Sequence, residues 1–324
     1  MKLLVCDEVL NERHKEKITN LAGKLGIELG FTNDAKIVPS GFLDADIVYG
    51  YGFNLTQAVE IRNSENLKWA AVTSAGVDFM LKPGMFKNEN LLITNSSGSY
   101  GVTIAEHIVA VSIMMMRKLT SFYADSLQGK WGHPVLQRNI KGSRIAVLGT
   151  GDIGKCFARR IKAFEPESIV GISRSGISEE ESFDRMLAVD RLDEVLPETD
   201  LLVMSLPETP ETKGILSKER INLLPNDAYI VNVGRGSAID EEALIDALNE
   251  ERLAGAALDV FMQEPLPEES PLWHTKNLLI TPHVAGNMTT DYTVDINVDM
   301  FCENLVNYVE GKPLKNVISR EQGY

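Results

Sequence analysis

The sequence predicts an α/β protein made of two doubly wound, mostly parallel sheets. Two observations carry this. Short apolar runs alternate with polar helical stretches along nearly the whole chain, which is the pattern of repeated βαβ units. A glycine-rich turn near mid-chain, Gly149-Thr150-Gly151-Asp152-Ile153-Gly154, follows a strand-like run and opens a helix, so one sheet starts there and another must precede it. At 324 residues, with 44% hydrophobic and 24% charged residues, the chain has the size and composition of a two-domain globular protein.

The elements read in order as follows. Residues 1–7 form a short buried strand closed by Asp7 and lack the extended apolar core of a signal peptide. A helix over 11–25 and strands at 47–49, 69–73 and 91–94 complete the first unit. The run 102–116, rich in Ile, Val and Met, is too short for a bilayer span and is interrupted by Glu106 and His107. It reads as a helix buried between domains or subunits. From residue 145 the strand rhythm sharpens, at 145–148, 169–172, 201–206, 229–233, 256–260 and 278–281, all apolar on both faces as strands covered on two sides must be. Asp240 is placed to cap a helix over 241–250. A last helix over 290–309 is stopped by Gly311 and Pro313, and its expected return to the first domain gives domains of 1–99 with 287–324, and 100–286. Two crossings of the chain would then form a hinge over a cleft.

A formal net charge of -14 disfavours nucleic acid and anionic membrane surfaces as partners. The three scattered cysteines, Cys6, Cys156 and Cys302, match neither a disulfide framework nor a metal site, and with the absence of a signal sequence they point to the cytoplasm.

In the mid-chain turn, one glycine permits the tight bend, a second admits a pyrophosphate against the backbone, and a third lets helix and strand pack closely, with the helix N-terminus facing the phosphates. The flanking strand and helix, and a further strand about 20 residues on, are the context a dinucleotide site requires. A glycine turn without a ligand is the weaker reading. The second strand ends in Ser173-Arg174-Ser175, where an NAD site would place a carboxylate on the ribose 2′-hydroxyl. A hydroxyl and a guanidinium suit a 2′-phosphate instead, so NADP is expected as cofactor, with NAD possible.

Three ionisable residues follow consecutive apolar runs: Arg235, Glu264 and His283. Each alone also fits a surface cation, a solvated loop acid or a structural imidazole. Together, at the carboxyl ends of strands, they read as a site over the nicotinamide.

At this point the chain resembles the D-isomer-specific 2-hydroxyacid dehydrogenase family. The resemblance rests on Val147-Leu148-Gly149-Thr150-Gly151-Asp152-Ile153-Gly154, on Leu223-Leu224-Pro225 with Val231-Asn232-Val233-Gly234-Arg235-Gly236, on Ala257-Leu258-Asp259-Val260-Phe261 with Glu264-Pro265-Leu266-Pro267, and on Thr281-Pro282-His283-Val284-Ala285-Gly286. It implies a Rossmann cofactor domain plus a flavodoxin-like substrate domain with a cleft between them, and reduction of a small 2-keto acid to a D-2-hydroxy acid. It further implies that Arg235, Glu264 and His283 are catalytic. His283 is the expected proton donor, Glu264 orients its ring, and Arg235 holds the substrate. The cofactor contacts it implies are Gly149, Gly151, Asp152, Ile153, Gly154, Ser173, Arg174, Leu206, Thr212, Val233 and Asp259. Those to the substrate carboxylate are the backbone of Ala75, Gly76 and Val77, and Glu106 and His107 are read as structural. No metal is implied, and a homodimer is.

Within the family, the missing regulatory domain argues against the longer phosphoglycerate dehydrogenases, and Glu264 argues against formate dehydrogenases, which carry glutamine there. Ser173 and Arg174 favour the NADP-preferring glyoxylate/hydroxypyruvate reductases. Substrate choice is expected to lie around Tyr49, Tyr51 and Met288. The alternative from another class is a cofactor-sensing binding module, like the family's corepressor relatives.

Overall fold

The structure, a computed structural model, describes residues 1–6 and 9–320; Asp7 lies outside the described residues. The chain divides into two compact units, Met1–Tyr100 with Asn287–Tyr324, and Gly101–Gly286.

The first unit holds a five-stranded sheet of β1 (Lys2–Cys6), β2 (Glu28–Thr32), β3 (Ile47–Gly50), β4 (Trp69–Val72) and β5 (Leu92–Thr94), in the order β2-β1-β3-β4-β5. Every pairing is parallel. Because successive side chains of a strand point to opposite faces, the central strands split their apolar residues between two cores. Leu3, Val5, Ile47, Tyr49, Trp69 and Ala71 meet Val298, Phe301 and Leu305 of the Asp291–Val309 helix on one face. Leu4, Val48, Leu55, Ala70 and Met80 build the other. The helix Glu12–Leu25 opens on Asn11, whose side chain accepts the His14 N–H at 3.2 Å while its own N–H reaches His14 Nδ1 at 3.3 Å.

β2 is absent from the sequence expectation for a physical reason. It is the edge strand, none of its residues is fully buried, and Glu-Leu-Gly-Phe-Thr therefore carries no continuous apolar run.

The second unit holds β6 (Arg144–Leu148), β7 (Ser168–Ser173), β8 (Arg185–Ala188), β9 (Leu201–Met204), β10 (Tyr229–Asn232), β11 (Gly255–Leu258) and β12 (Leu278–Ile280). Their order is β12-β11-β10-β9-β6-β7-β8, again all parallel. The chain enters mid-sheet at β6, builds outward to β8, then returns to β9 on the other side. The order thus reverses between β6 and β9, the place where doubly wound sheets bind ligands at their carboxyl ends.

Both edges depart from expectation. β8 carries no apolar run that marks it as a strand, because its Arg185 is exposed and only Leu187 is buried. β12, expected to be covered on both faces, is half-buried throughout because it borders the opposite edge. The central strands β9, β10 and β11 are fully buried, as their apolar runs require.

The helix Gly101–Met116 buries Ile104, Ala105, Ile108, Val111, Ser112 and Met115 at helical spacing and packs against the helix Asp152–Ile161. Among the described residues no helix is long and apolar enough to cross a membrane. Asp240 caps the helix Glu241–Asn249 as expected, accepting the Ala243 N–H at 3.1 Å.

Candidate active site

The site is built on the carboxyl ends of the second unit's strands. Between β6 and the helix Asp152–Ile161, the three motif glycines differ in what surrounds them. Gly149 adopts φ +103°, a left-handed conformation that disfavours any side chain, and a Cβ on it would also press on the Ser205 carbonyl. A Cβ on Gly154 would collide with the Gly149 carbonyl oxygen, so helix and turn pack only without one. Gly151 is different: its φ is -74° and a Cβ there would meet nothing. No intramolecular contact asks for glycine at 151, whereas a pyrophosphate lying on the backbone would. The helix it opens has no side chain capping its N-terminus, unlike those at Asn11, Asp240 and Thr290. Free N–H groups and a positive helix end are what a dinucleotide's phosphates need, so the residues fit the cofactor.

The other expected cofactor residues lie around the same strand ends. The Asp152 carboxylate turns against Gly101 at the start of the neighbouring helix, leaving Asp152 and Ile153 to offer backbone N–H groups. Ser173 ends β7 and takes the Gly176 N–H at 3.0 Å, and Arg174 beside it is exposed. Leu206 and the buried Val233 flank Gly234, whose missing Cβ allows it to rest on the Leu206 backbone. Thr212 closes its own loop by donating to the Pro207 carbonyl at 2.7 Å.

Arg235, Glu264 and His283 come together after β10, β11 and β12. His283 Nδ1 lies 2.6 Å from Glu264 Oε2, and the other carboxylate oxygen takes the Phe261 N–H at 2.9 Å. The acid is therefore anchored to its own loop before it meets the ring. Gly236 makes room for this loop, since a Cβ there would strike the Phe261 backbone. Arg235, which donates to the Gly234 carbonyl at 2.8 Å, lies near enough to act electrostatically on both partners.

The Glu264 hydrogen bond holds the His283 imidazole above its ordinary value of 6.5, against burial and the Arg235 charge, with Asp259 adding to the rise. For Glu264, burial pushes upward, yet the His283 and Phe261 hydrogen bonds and Arg235 together hold its carboxyl below the ordinary carboxylate value. Each partner thus favours the charged form of the other, with the His283 side chain still 51% exposed and able to reach a ligand.

Asp259 explains how His283 gets there. It is 3% exposed, and its carboxylate takes the Thr281 hydroxyl at 2.6 Å and the N–H groups of Val284 and Ala285 at 2.9 and 3.0 Å. The His283 N–H meanwhile donates to the Asp259 carbonyl at 2.8 Å. This winds the loop tightly enough to place His283 at φ +53°, a left-handed conformation that a non-glycine residue adopts only when its surroundings impose it. Thr281 and His107 are members of this network that the sequence did not mark as a group. With its proton given to Asp259, the Thr281 oxygen can only accept from His107 Nε2, 3.3 Å away. Burial pushes the His107 imidazole down despite the Asp259 charge, which favours the neutral ring.

In the first unit, Ala75, Gly76 and Val77 follow β4, with Val77 buried and the other two half-buried. Tyr49, one of the residues around which substrate choice was expected, is instead 1% exposed, its ring stacked on Phe301 at 4.1 Å. Tyr51 is exposed and Met288 half-buried.

Residues 109–285 match the model of the D-isomer specific 2-hydroxyacid dehydrogenase NAD-binding domain. Glyoxylate/hydroxypyruvate reductase A of Klebsiella pneumoniae is 30% identical over 272 residues, 82% of this chain and 85% of that protein. The crystal structure of a D-isomer specific 2-hydroxyacid dehydrogenase family protein from Aeromonas salmonicida superposes with a TM-score of 0.85 at 30% identity, covering 98% of this chain and 99% of that one. That of a D-isomer specific 2-hydroxyacid dehydrogenase from Xanthobacter autotrophicus in complex with NADPH and MES superposes at 0.80 and 27% identity, covering 100% and 99%. The protein belongs to the D-isomer specific 2-hydroxyacid dehydrogenase family. It is an NAD(P)-dependent oxidoreductase acting between 2-keto and 2-hydroxy acids.

The raised value of His283 has a defined pH signature. The stabilisation it contributes is fully present below 6.5 and is lost as pH rises through the higher folded value. Glu264→Gln removes the negative charge behind that rise and replaces one of the two carboxylate oxygens by an NH2 donor. An NMR titration of the His283 ring should then show its pKa lower than in the wild type, and an unchanged pKa would overturn this account of the pair.

Proposed function

We propose that the protein reduces a small 2-keto acid of the glyoxylate or hydroxypyruvate type, with NADPH as preferred donor. The observation that carries this is the Glu264–His283 pair at 2.6 Å beside Arg235, a proton donor held charged next to a fixed cation.

When bound, the reduced nicotinamide supplies a hydride to the keto carbon. Protonated His283 gives its Nε2 proton to the keto oxygen, because Nδ1 is engaged by Glu264. Glu264 keeps the ring oriented and protonated at neutral pH. Arg235 holds the substrate carboxylate and carbonyl and offsets negative charge developing on oxygen. The backbone N–H groups of Ala75, Gly76 and Val77 are the further ligands of the carboxylate. Asp259, whose oxygens already hold the His283 loop, serves the cofactor chiefly by fixing that loop.

Three facts support NADPH. β7 ends in Ser173 and Arg174 with no carboxylate, Arg174 is exposed at the edge where the 2′-phosphate would lie, and the Xanthobacter relative was crystallised with NADPH. A relative of the glyoxylate/hydroxypyruvate reductase kind supports the substrate class.

The protein is also proposed to form a homodimer. The helix Leu119–Leu127 and the segment after it present Leu127 at 71%, Trp131 at 97% and Leu136 at 84% exposure, large apolar side chains that a second subunit would cover. This surface adds to the self-contact expected of the helix Gly101–Met116, on which Glu106 and Ala110 are exposed.

His283→Ala should lower kcat for keto-acid reduction by roughly 10²–10⁴-fold, as for a lost general acid. Steady-state kinetics with glyoxylate, hydroxypyruvate and branched 2-keto acids checks this, and cofactor binding without turnover of any would favour a sensor instead. Arg174→Ala should reduce the NADPH-over-NADH ratio of kcat/KM by about ten- to a hundredfold, the worth of a charge-assisted contact; an unmoved ratio would rule out Arg174 as its source. Sedimentation at micromolar concentration should return a dimer, and a monomer alone would count against the exposed segment as an interface.

A further inference from the structure

The loop after β4 has an unusual distribution of hydrogen bonds. Four consecutive carbonyls are taken by groups outside the loop. Val72 O accepts the Ser96 hydroxyl at 2.7 Å, and Ser74 O accepts the Ser96 N–H at 3.0 Å. Ala75 O accepts Asn95 Nδ2 at 2.6 Å. Thr73 O accepts twice, from the Tyr100 hydroxyl and from Asn297 Nδ2, the latter at 3.1 Å. By contrast, among the described residues no hydrogen bond runs from the backbone N–H groups of residues 74–77. With the carbonyls held back, the N–H groups are the unspent side of this stretch of chain, which is the makeup of an anion-binding nest.

Asn297 is the member of this clamp that its own element does not explain. It sits within the Asp291–Val309 helix, 1% exposed, close in sequence to the buried Val294, Val298 and Phe301. Asparagine is a poor helix former, and a buried amide carries a desolvation penalty unless all its groups are paired. Both ends are paired here. The Thr73 carbonyl can only accept, so the amide nitrogen must face it, and the oxygen must then face Tyr49, whose hydroxyl donates to it at 2.9 Å. Tyr49 is itself immobilised by its stack on Phe301. A helix needing only to pack would be served as well by leucine.

We infer that Asn297, oriented by Tyr49, is a positioning residue for substrate: it pins the Thr73 carbonyl so that the N–H groups after it are presented to the carboxylate of the 2-keto acid. This rests on the proposed reading of residues 75–77 as carboxylate ligands. Asn297 touches no substrate. It acts through the backbone of the loop, and the same network accounts for Tyr49 lying in the core.

The test uses the full-length protein with two variants, Asn297→Asp, which is isosteric but replaces the donor by an acceptor, and Tyr49→Phe, which removes only the orienting hydroxyl. KM and kcat for glyoxylate at saturating NADPH, the NADPH dissociation constant, and the thermal midpoint are measured for each. A carboxylate contact is made equally in ground and transition states, so its loss raises KM and spares kcat. Asn297→Asp should raise KM roughly tenfold, the worth of about one hydrogen bond, with kcat within about twofold and NADPH binding unchanged. Tyr49→Phe should move KM in the same direction by less. A purely structural role would lower the thermal midpoint without that split, and this outcome, or NADPH binding falling in step with KM, would overturn the inference. Should Asn297→Asp fail to fold, Tyr49→Phe decides alone. If the wild type reduces glyoxylate and neither folded variant changes KM, Asn297 loses its role while the functional reading stands; if the wild type turns over no 2-keto acid, both fall.

Discussion

The geometry of the candidate site depends on one buried carboxylate. Asp259 gathers a hydroxyl and two backbone N–H groups from the turn that follows β12, and the turn's own His283 N–H returns to the Asp259 carbonyl. Desolvating a carboxylate is unfavourable by several kcal/mol, and here three hydrogen bonds from one short loop offset the loss. The consequence is a histidine in a left-handed conformation, with Nδ1 directed to Glu264 and the rest of the ring half in solvent. The backbone strain is therefore borne by the network that the proposed proton transfer needs.

Around that centre the second unit uses glycine in two ways. Gly149, Gly154, Gly234 and Gly236 are required by neighbouring backbone, since a side chain at any of them would force turn, helix or loop apart. Gly151 answers to nothing within the chain, and that is what distinguishes a glycine kept for a ligand from one kept for packing. The same contrast runs through the polar residues. Ser173 and Thr212 tie down their own turns, so the proposed recognition of the 2′-phosphate falls mainly on the Arg174 guanidinium, which stands exposed.

The first unit is organised by a different economy of hydrogen bonds. Its sheet buries two apolar faces, and Tyr49, Asn95, Ser96, Tyr100 and Asn297 all spend donors near the end of β4. Side chains of residues 95–100 and of the C-terminal helix, with the Ser96 backbone N–H, converge on the carbonyls of four successive residues, and Tyr49 orients the helix's Asn297. Stiffening one short loop from several elements is a pattern suited to holding backbone N–H groups ready for an anion, because preorganised donors lose little entropy when the ligand arrives.

By itself the sequence determined the two parallel-sheet units, the central strands, the capped helix after Asp240 and the set Arg235, Glu264 and His283. These are properties of local pattern: buried strands need unbroken apolar runs, and loops at their ends carry the ionisable groups. It did not disclose β2 and β8, or the half-buried state of β12, because edge strands face water on one side and carry no such run. Nor did it place Tyr49 in the core, join His107 and Thr281 to Asp259, or single out Asn297. Those assignments depend on which side chains from distant segments meet, and only the tertiary structure decides that. A polar residue within an apolar stretch reads the same whether it is orphaned or, like Asn297, held at both ends by residues more than two hundred positions away.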